Sequence, residues 1–271
     1  MVFHPDDTMQ ETISEEATPL LQDTFTVVIP AYNEEKVIGK TLDEVIGFIS
    51  TRQLKWNVVV SIDGNDGTES IVSSYATTFP FISTMKSNAR GGKGAAIKRV
   101  LNAINSDYVI LMDADGSMSF QNVIDNLHFL QEYDGIIFSR YNNGNRIPFN
   151  RRFLSRGFNI LVQASLGIRV SDTQSGYKAF KSDKFIRAMR KVGSTNTFFD
   201  VPLLFFLGQE RARIIELECR YNHREEGKFS PISGTLGMAV SLVAFRIRHS
   251  RFYRYVPKSL VNLYYRKFRW I

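Results

Sequence analysis

Asp113 and Asp115 stand one residue apart at the end of an apolar run, residues 108–112. Hard divalent cations such as Mg²⁺ and Mn²⁺ prefer oxygen ligands and are often bound by one or two carboxylates together with substrate phosphates. The pair is therefore a candidate metal site. The competing structural role is a helix cap, with Asp115 or Ser117 opening the helix that follows. Three further polar stretches, each following an apolar run, add to the first reading. Pro30-Ala31-Tyr32-Asn33-Glu34 is the earliest, then Asp63-Gly64, then Arg90-Gly91-Gly92-Lys93-Gly94. Tyr32 offers an aromatic face for a base, and Glu34 and Asp63 offer acceptors to base or ribose donors. Lys93 lies in a loop whose glycines let backbone N–H groups approach phosphate oxygens. Together these chemistries describe a nucleotide-diphosphate site with a metal.

Such residues must be brought together by the elements between them. Residues 25–29 form a β-branched run ending at Pro30, and residues 56–62, 81–85 and 108–112 repeat the pattern. Between them lie helical stretches. Val37, Ile38, Thr41, Leu42, Val45, Ile46 and Ile49 recur at helical spacing, with Asn33 placed to cap, and a later helix covers 95–103. Four alternations of strand and helix before residue 131 predict an α/β fold with a mostly parallel central sheet flanked by helices. Ligands of such sheets bind beyond the carboxyl ends of the strands, where all four polar stretches fall. A further strand is expected at 135–139 and helices at 151–166, 183–191 and 201–208. A last strand is expected at 213–217, with 172–180 irregular. Amphipathic helices are expected toward the C-terminus.

The 271 residues hold one cysteine, Cys219, and four scattered histidines, which excludes an intrachain disulfide and a cysteine-based zinc site. Gly91-Gly92-Lys93-Gly94 lacks the Ser or Thr and the first Gly of a P-loop. Nor is it a Gly-x-Gly-x-x-Gly turn, which excludes the usual dinucleotide fingerprint. The net charge of +7 is uneven. After Glu226 there are nine Lys and Arg and no Asp or Glu, while the preceding 226 residues carry 25 basic and 27 acidic groups. Residues 1–23 are acidic, without Lys or Arg or an apolar core, and are expected to form a flexible tail, not a signal peptide.

In order along the chain, Val28-Ile29-Pro30-Ala31-Tyr32-Asn33-Glu34, Asp63-Gly64 with Asp66-Gly67-Thr68, Gly92-Lys93-Gly94 and Asp113-Ala114-Asp115 resemble the motifs of family 2 glycosyltransferases of the GT-A (nucleotide-diphospho-sugar transferase) fold. The resemblance covers residues 25–230. Ser139-Arg140-Tyr141, Asp172-Thr173-Gln174-Ser175-Gly176-Tyr177-Lys178 and Phe199-Asp200-Val201 are similar to the branch that glycosylates polyprenyl phosphates, closer to dolichyl-phosphate β-glucosyltransferases than to mannose synthases. The resemblance implies a UDP- or GDP-sugar donor, Mg²⁺ or Mn²⁺, and inversion at the sugar carbon. It implies that Pro30, Ala31, Tyr32, Glu34, Asp63, Lys93, Asp113, Ala114 and Asp115 bind the nucleotide sugar. It also implies Asp113 and Asp115 as metal ligands, with Asp115 the principal one. The chain departs from the family at Ile62, which replaces the first Asp of the usual Asp-Asp-Gly-Ser turn. That departure bears on the choice between UDP and GDP.

A phosphate monoester is already largely an anionic nucleophile at neutral pH, so no histidine base is required. The site has to gather two anions and stabilise a leaving diphosphate. Lys93 and the metal suit the second task. Arg140, Arg151 or Arg152, and Arg224 suit the first, each weighed against a solvated surface charge. Asp200 is either an acceptor-side carboxylate or a helix N-cap, and Gln174 and Ser175 shape a sugar pocket or close a turn. These readings divide the chain into a tail (1–23), a catalytic domain (24–226) and a basic, aromatic segment (227–271). Residues 234–245 are too short an apolar run to span a bilayer. The aromatic and basic residues after them suit a headgroup layer, or a terminal helix packed on the domain with a solvated basic face. The expected enzyme is thus a hexosyltransferase, most simply using UDP-glucose and dolichyl or polyprenyl phosphate. It would sit peripherally on the cytoplasmic face of a membrane, without nucleic acid, and is compatible with a membrane-spanning partner. The alternatives are a GDP-mannose-dependent synthase, a family 2 transferase with a glycan acceptor, and a catalytically degenerate membrane-binding module.

Overall fold

The computed structural model describes residues 2–3, 22–87, 89–142, 144–145, 148–222 and 231–250. Among the described residues, eight strands form one sheet: β1 (Val2–Phe3), β2 (Phe25–Tyr32), β3 (Asn57–Asp63), β4 (Ile82–Lys86), β5 (Tyr108–Leu111), β6 (Gly135–Ser139), β7 (Lys178–Lys181) and β8 (Ile214–Glu218). Their order is β1-β8-β6-β7-β5-β2-β3-β4. All pairings are parallel except those of β7, which runs antiparallel to β5 and β6. The α-helices are α1 (Ile38–Thr51), α2 (Thr68–Thr78), α3 (Lys93–Val100), α4 (Phe120–Ile124), α5 (Phe149–Leu166), α6 (Ser182–Lys191), α7 (Asp200–Gln209) and α8 (Pro231–Arg248).

The continuous apolar runs of the central strands follow from burial on both faces. In β2, Val27 and Ile29 enter one core while Val28 enters the other, and in β3 Val58 and Val60 oppose Val59. The first core is closed by α1, α2 and α4 around Phe25, Phe48, Trp56 and Phe120. The second is closed by residues of α3, α5, α6, α7 and α8, with Phe158, Phe185, Phe198 and Leu242 among them. The parallel pairings place the carboxyl ends of β2, β3, β4, β5, β6 and β8 along a common edge, where β7 begins.

Several expectations change here. β2 does not stop at Pro30 but runs to Tyr32. Its pairing with β5 ends at Val28, so Pro30 has only β3 as a neighbour and its missing N–H is tolerated on an open side. Asn33 does not cap α1, which begins at Ile38. It takes a left-handed conformation (φ 53°) and its side-chain oxygen accepts from the Asn65 N–H. The stretch 172–180 is not wholly irregular, because β7 fills the gap between β5 and β6. Its apolar content is low because it begins and ends on Lys178 and Lys181, and Lys178 is itself buried. Val2 and Phe3, in the expected tail, pair with Ile214 and Ile215 at the sheet edge. α8 packs on α5, and its Phe245 meets Phe198, Phe205 and Phe206 edge-on. The expected boundary at 226/227 therefore does not separate residues 231–250 from the core. Among the described residues, no helix is long and apolar enough to cross a membrane.

Candidate active site

At the carboxyl end of β5 the chain turns through Asp113, Ala114 and Asp115 before α4. Neither Asp115 nor Ser117 caps that helix. Ser119 does, its hydroxyl accepting from the Gln121 N–H. Asp115 instead accepts from the Ser117 N–H at 2.9 Å, which shapes the turn and leaves its other oxygen for a ligand. Asp113 receives the Lys93 ammonium at 2.5 Å. Burial alone would drive the Lys93 pKa down, but the field of Asp113 and Asp200 holds it above its usual value. Burial would likewise raise Asp113, and Lys93 keeps it low.

Lys93 is the first residue of α3, and the glycines before it serve packing more than a phosphate cradle. Gly92 adopts φ 85°, and a Cβ there would lie 2.7 Å from the Thr195 carbonyl oxygen. The Ala95 N–H donates to that same carbonyl, and the Gly91 N–H donates to Asp63. Gly176 has a parallel role, since a Cβ there would fall 1.6 Å from an Asp113 carboxylate oxygen. Only glycine lets the 172–177 turn lie against the metal candidate.

Two ion pairs flank Asp113, one fully buried and one whose arginine is partly exposed. On one side Lys178, 1% exposed, donates to Asp200 at 2.7 Å and to the Ser175 carbonyl. Asp200 is the first residue of α7, not its cap, and is buried. Burial raises its pKa, and the nearby charge of Asp113 adds to that against the pull of Lys178 and Lys93. On the other side Arg140 forks onto Asp172 through Nε and Nη2, both at 2.8 Å, and its backbone N–H donates to the same carboxylate. Burial would raise Asp172, but Arg140 holds it low. Glu216 accepts from the Ser171 and Asp172 N–H groups, and Asn159 on α5 accepts from Thr173, so the turn is held from two sides. Tyr221 lies beside Arg140, and the Asn222 N–H donates to the Ser117 carbonyl.

The remaining expected site residues divide by placement. Tyr32 ends β2, with the Arg90 guanidinium 4.3 Å over its ring. Glu34 uses its N–H on Thr68, and Glu35 and Asp66 lace the two loops together. Pro30 is half-buried at the strand end, whereas the side chains of Ala31 and Ala114 enter the first core and offer a ligand only their backbone. Asp63 is 3% exposed and its two oxygens are engaged by Arg99 at 2.6 Å and the Gly91 N–H at 2.8 Å, so it holds the glycine loop in place. Gln174 donates to the Met238 sulfur on α8, and Ser175 closes its own turn onto the Phe138 carbonyl, so neither is presented openly to a sugar. Arg152 sits in the first turns of α5. Arg151 precedes it with its side chain outside the described residues, as is the whole of Arg224. Sequence reasoning gave no role to Lys178, Asp172, Tyr177 or Arg99. The signal was available in a lysine and an aspartate within otherwise apolar or turn-forming stretches.

Asp113, Asp115 and Asp200 outnumber Lys93 and Lys178, which suits a cation. Among the described residues no three His, Cys, Asp or Glu side chains converge as a closed cage. Two carboxylates with further oxygens from a diphosphate fit Mg²⁺ or Mn²⁺.

The family model described as Glycosyl transferase family 2 matches residues 26–188. The dolichyl-phosphate beta-glucosyltransferase of Dictyostelium discoideum is 27% identical, over 88% of this chain and 78% of its own. Dolichyl-phosphate beta-glucosyltransferase ALG5A of Trichomonas vaginalis is 30% identical, over 83% and 73%. Among solved structures, mannosyl-3-phosphoglycerate synthase from Rubrobacter xylanophilus superposes with TM-score 0.64 at 19% identity, covering 90% of this chain and 81% of that one. Glucosyl-3-phosphoglycerate synthase from Mycobacterium tuberculosis, in complex with Mn²⁺, UDP and glucosyl-3-phosphoglycerate, gives 0.64 at 18%, covering 90% and 86%. At such identity the solved structures speak for the GT-A fold alone. A four-motif site on this sheet, with a family model across more than half its length, means that the chain belongs to glycosyl transferase family 2.

Proposed function

We propose that the protein transfers glucose from UDP-glucose to dolichyl or polyprenyl phosphate, with inversion, at the strand edge around Asp113. The observation that carries the proposal is the convergence of Asp113, Asp115 and Lys93 with a half-buried arginine, Arg140, on one edge. Named relatives acting on dolichyl phosphate with a β-glucosyl outcome support the choice of sugar and acceptor. A neighbour holding Mn²⁺ with UDP supports the metal.

Asp115, with Asp113 beside it, would hold a divalent ion, which would supply charge neutralisation of the diphosphate. Tyr32 and Glu34 take the base and ribose, and the backbone at Pro30, Ala31 and Ala114 lines their path. Asp63 acts one step removed, by fixing the glycine loop through Gly91. Lys93 exchanges its bond to Asp113 for the departing phosphate oxygen. The acceptor phosphate oxygen attacks the sugar carbon from the opposite face. The bond from that carbon to the diphosphate oxygen breaks, and its electron pair leaves with the diphosphate. Arg140, pre-oriented by Asp172, meets the acceptor phosphate. Because the nucleophile is already ionised, positioning and charge do most of the work. The basic segment after Glu226 brings the enzyme to the cytoplasmic face of a membrane, where its acceptor resides.

A screen of UDP- and GDP-sugars with and without polyprenyl phosphate, read as lipid-linked product, tests this. Expected is metal-dependent product with UDP-glucose. Sugar release without any lipid-linked product would overturn the acceptor assignment.

A further inference from the structure

Arg140 and Asp172 come from two separate loops, and the residue that follows each of them reaches the same side chain on a third element. That side chain is Asn159, 2% exposed in the middle of α5. Its Oδ1 accepts from the Thr173 N–H at 3.1 Å and from the Thr173 hydroxyl at 2.6 Å. Its Nδ2 donates to the Tyr141 hydroxyl at 3.2 Å and to the Ser155 carbonyl at 3.0 Å. Two acceptances and two donations use the full capacity of an amide. Asparagine is a poor helix former, and a buried amide is costly unless it is bonded. Asn159 spends one of its four bonds on its own helix, at Ser155, and three on the two loops of the ion pair.

We infer that Asn159 is a positioning residue for the transfer: it sets the spacing of the Arg140 and Asp172 loops, and through them the direction in which the Arg140 guanidinium meets the acceptor phosphate. The fork explains why spacing matters. Nε and Nη2 of Arg140 are committed to the two oxygens of Asp172, which leaves Nη1 for a phosphate oxygen. The guanidinium is planar and rigid, so a small shift of Asp172 against Arg140 re-aims Nη1. Glu216 on β8 secures the 171–172 backbone from the sheet side. What Asn159 adds is the link across to the Arg140 loop. Other α5 residues strengthen that link, because the Tyr141 hydroxyl also bonds the Ser155 hydroxyl and the Arg156 guanidinium lies 5.3 Å from the Tyr141 ring centre. The inference rests on the phosphate-facing role of Arg140 proposed above.

The test uses the full chain with UDP-glucose and a short, water-soluble prenyl phosphate. Asn159→Leu removes the amide at nearly constant volume, while Thr173→Val and Tyr141→Phe each delete one partner and keep the amide. The KM for prenyl phosphate should rise roughly tenfold in Asn159→Leu and roughly threefold in each partner variant, with the KM for UDP-glucose within about twofold of the parent. A merely structural amide would lower the folded fraction and leave both KM values alone. The second readout is hydrogen exchange at the Arg140 Nε–H, a resonance assigned by its loss in Arg140→Lys. It should exchange roughly tenfold faster in Asn159→Leu, while the backbone amides of β2 and β5 keep their protection. Unchanged Nε–H exchange, or an equal rise in both KM values, would overturn the inference. So would faster exchange throughout β2 and β5, which would make Asn159 a general support of the fold. If Asn159→Leu does not fold, Thr173→Val and Tyr141→Phe decide the matter on the same two readouts. A parent that makes no prenyl-linked product would defeat the proposed function instead, and the Nε–H exchange would then decide by itself whether Asn159 orients Arg140.

Discussion

The two ion pairs beside Asp113 look alike and behave in opposite ways. Arg140–Asp172 is closed on itself: the fork and a backbone N–H satisfy one carboxylate, whose pKa falls despite complete burial. Lys178–Asp200 shares its field with Asp113, and Asp200 is pushed upward. The difference teaches where the site is finished and where it is not. The arginine flank is complete without a ligand, so it can present a rigid cation to an incoming phosphate. The strand-end flank carries surplus negative charge that a divalent ion and Lys93 would share.

Removing one carboxylate from the surplus side should have the largest effect. Asp115→Asn keeps an acceptor for the Ser117 N–H, so stability should change by no more than about 1 kcal/mol. Metal-dependent turnover of nucleotide sugar should fall by roughly 10²–10³-fold or more. Unchanged turnover in steady-state assays would remove Asp115 from the metal site.

The second test separates the two pairs by stability. Lys178→Met leaves Asp200 buried without its partner, a change that typically costs about 3–5 kcal/mol. Urea unfolding measures it. The double variant K178M/D200L should recover a good part of the loss, because an apolar pair of similar volume removes both desolvation penalties. No recovery would mean that the pair is coupled more tightly to Lys93 and Asp113 than the geometry indicates.

Asp172→Asn should act on the other flank, more gently and in a different currency. The loss is about 1–3 kcal/mol, with KM for the acceptor rising while KM for the nucleotide sugar holds, since Arg140 loses its orientation. Its pH dependence has a definite sign. A carboxylate whose folded pKa lies below the unfolded value contributes stability that is fully present above the unfolded value, near 3.8, and is lost as pH falls through the folded one. The gap between the parent and D172N should accordingly be widest at neutral pH and narrow in acid. A gap that widened toward pH 3 would contradict the assignment.

The smallest effect belongs to a loop distant from both pairs. Asn33→Ala places an L side chain other than Asn at φ 53° and removes the acceptor for the Asn65 N–H, costing roughly 1–2 kcal/mol. Asn33→Gly should recover the backbone part alone. If neither changes the unfolding midpoint, the two loops are held by Glu35, Asp66 and Thr68 without help from Asn33.

How far each flank was legible in the sequence follows from its physics. The parallel strands β2, β3 and β5 announce themselves because burial on both faces demands unbroken apolar runs, and β6 does so for the same reason. The polar stretches at their ends could be placed on one edge by topology alone. β7 could not be found that way. It is four residues long, begins with a buried lysine, and owes its place to pairing with strands far away in the chain. Asp200 shows the same limit: its position at a helix start is local information, but its partner Lys178 is not.

The sequence by itself determined the chemistry on offer: two carboxylates, a lysine among glycines, four candidate arginines and a basic C-terminal segment. These are local properties of residue type and spacing, and so were the parallel sheet and the family resemblance. Tertiary structure alone decided how that chemistry is allotted. It engaged Asp63 in holding a loop, turned Ala31 and Ala114 into the core, and locked Arg140 onto Asp172. It also set α8 against α5, leaving a shared apolar face. Each of these depends on which groups burial leaves close enough to satisfy one another, and that is fixed by long-range packing.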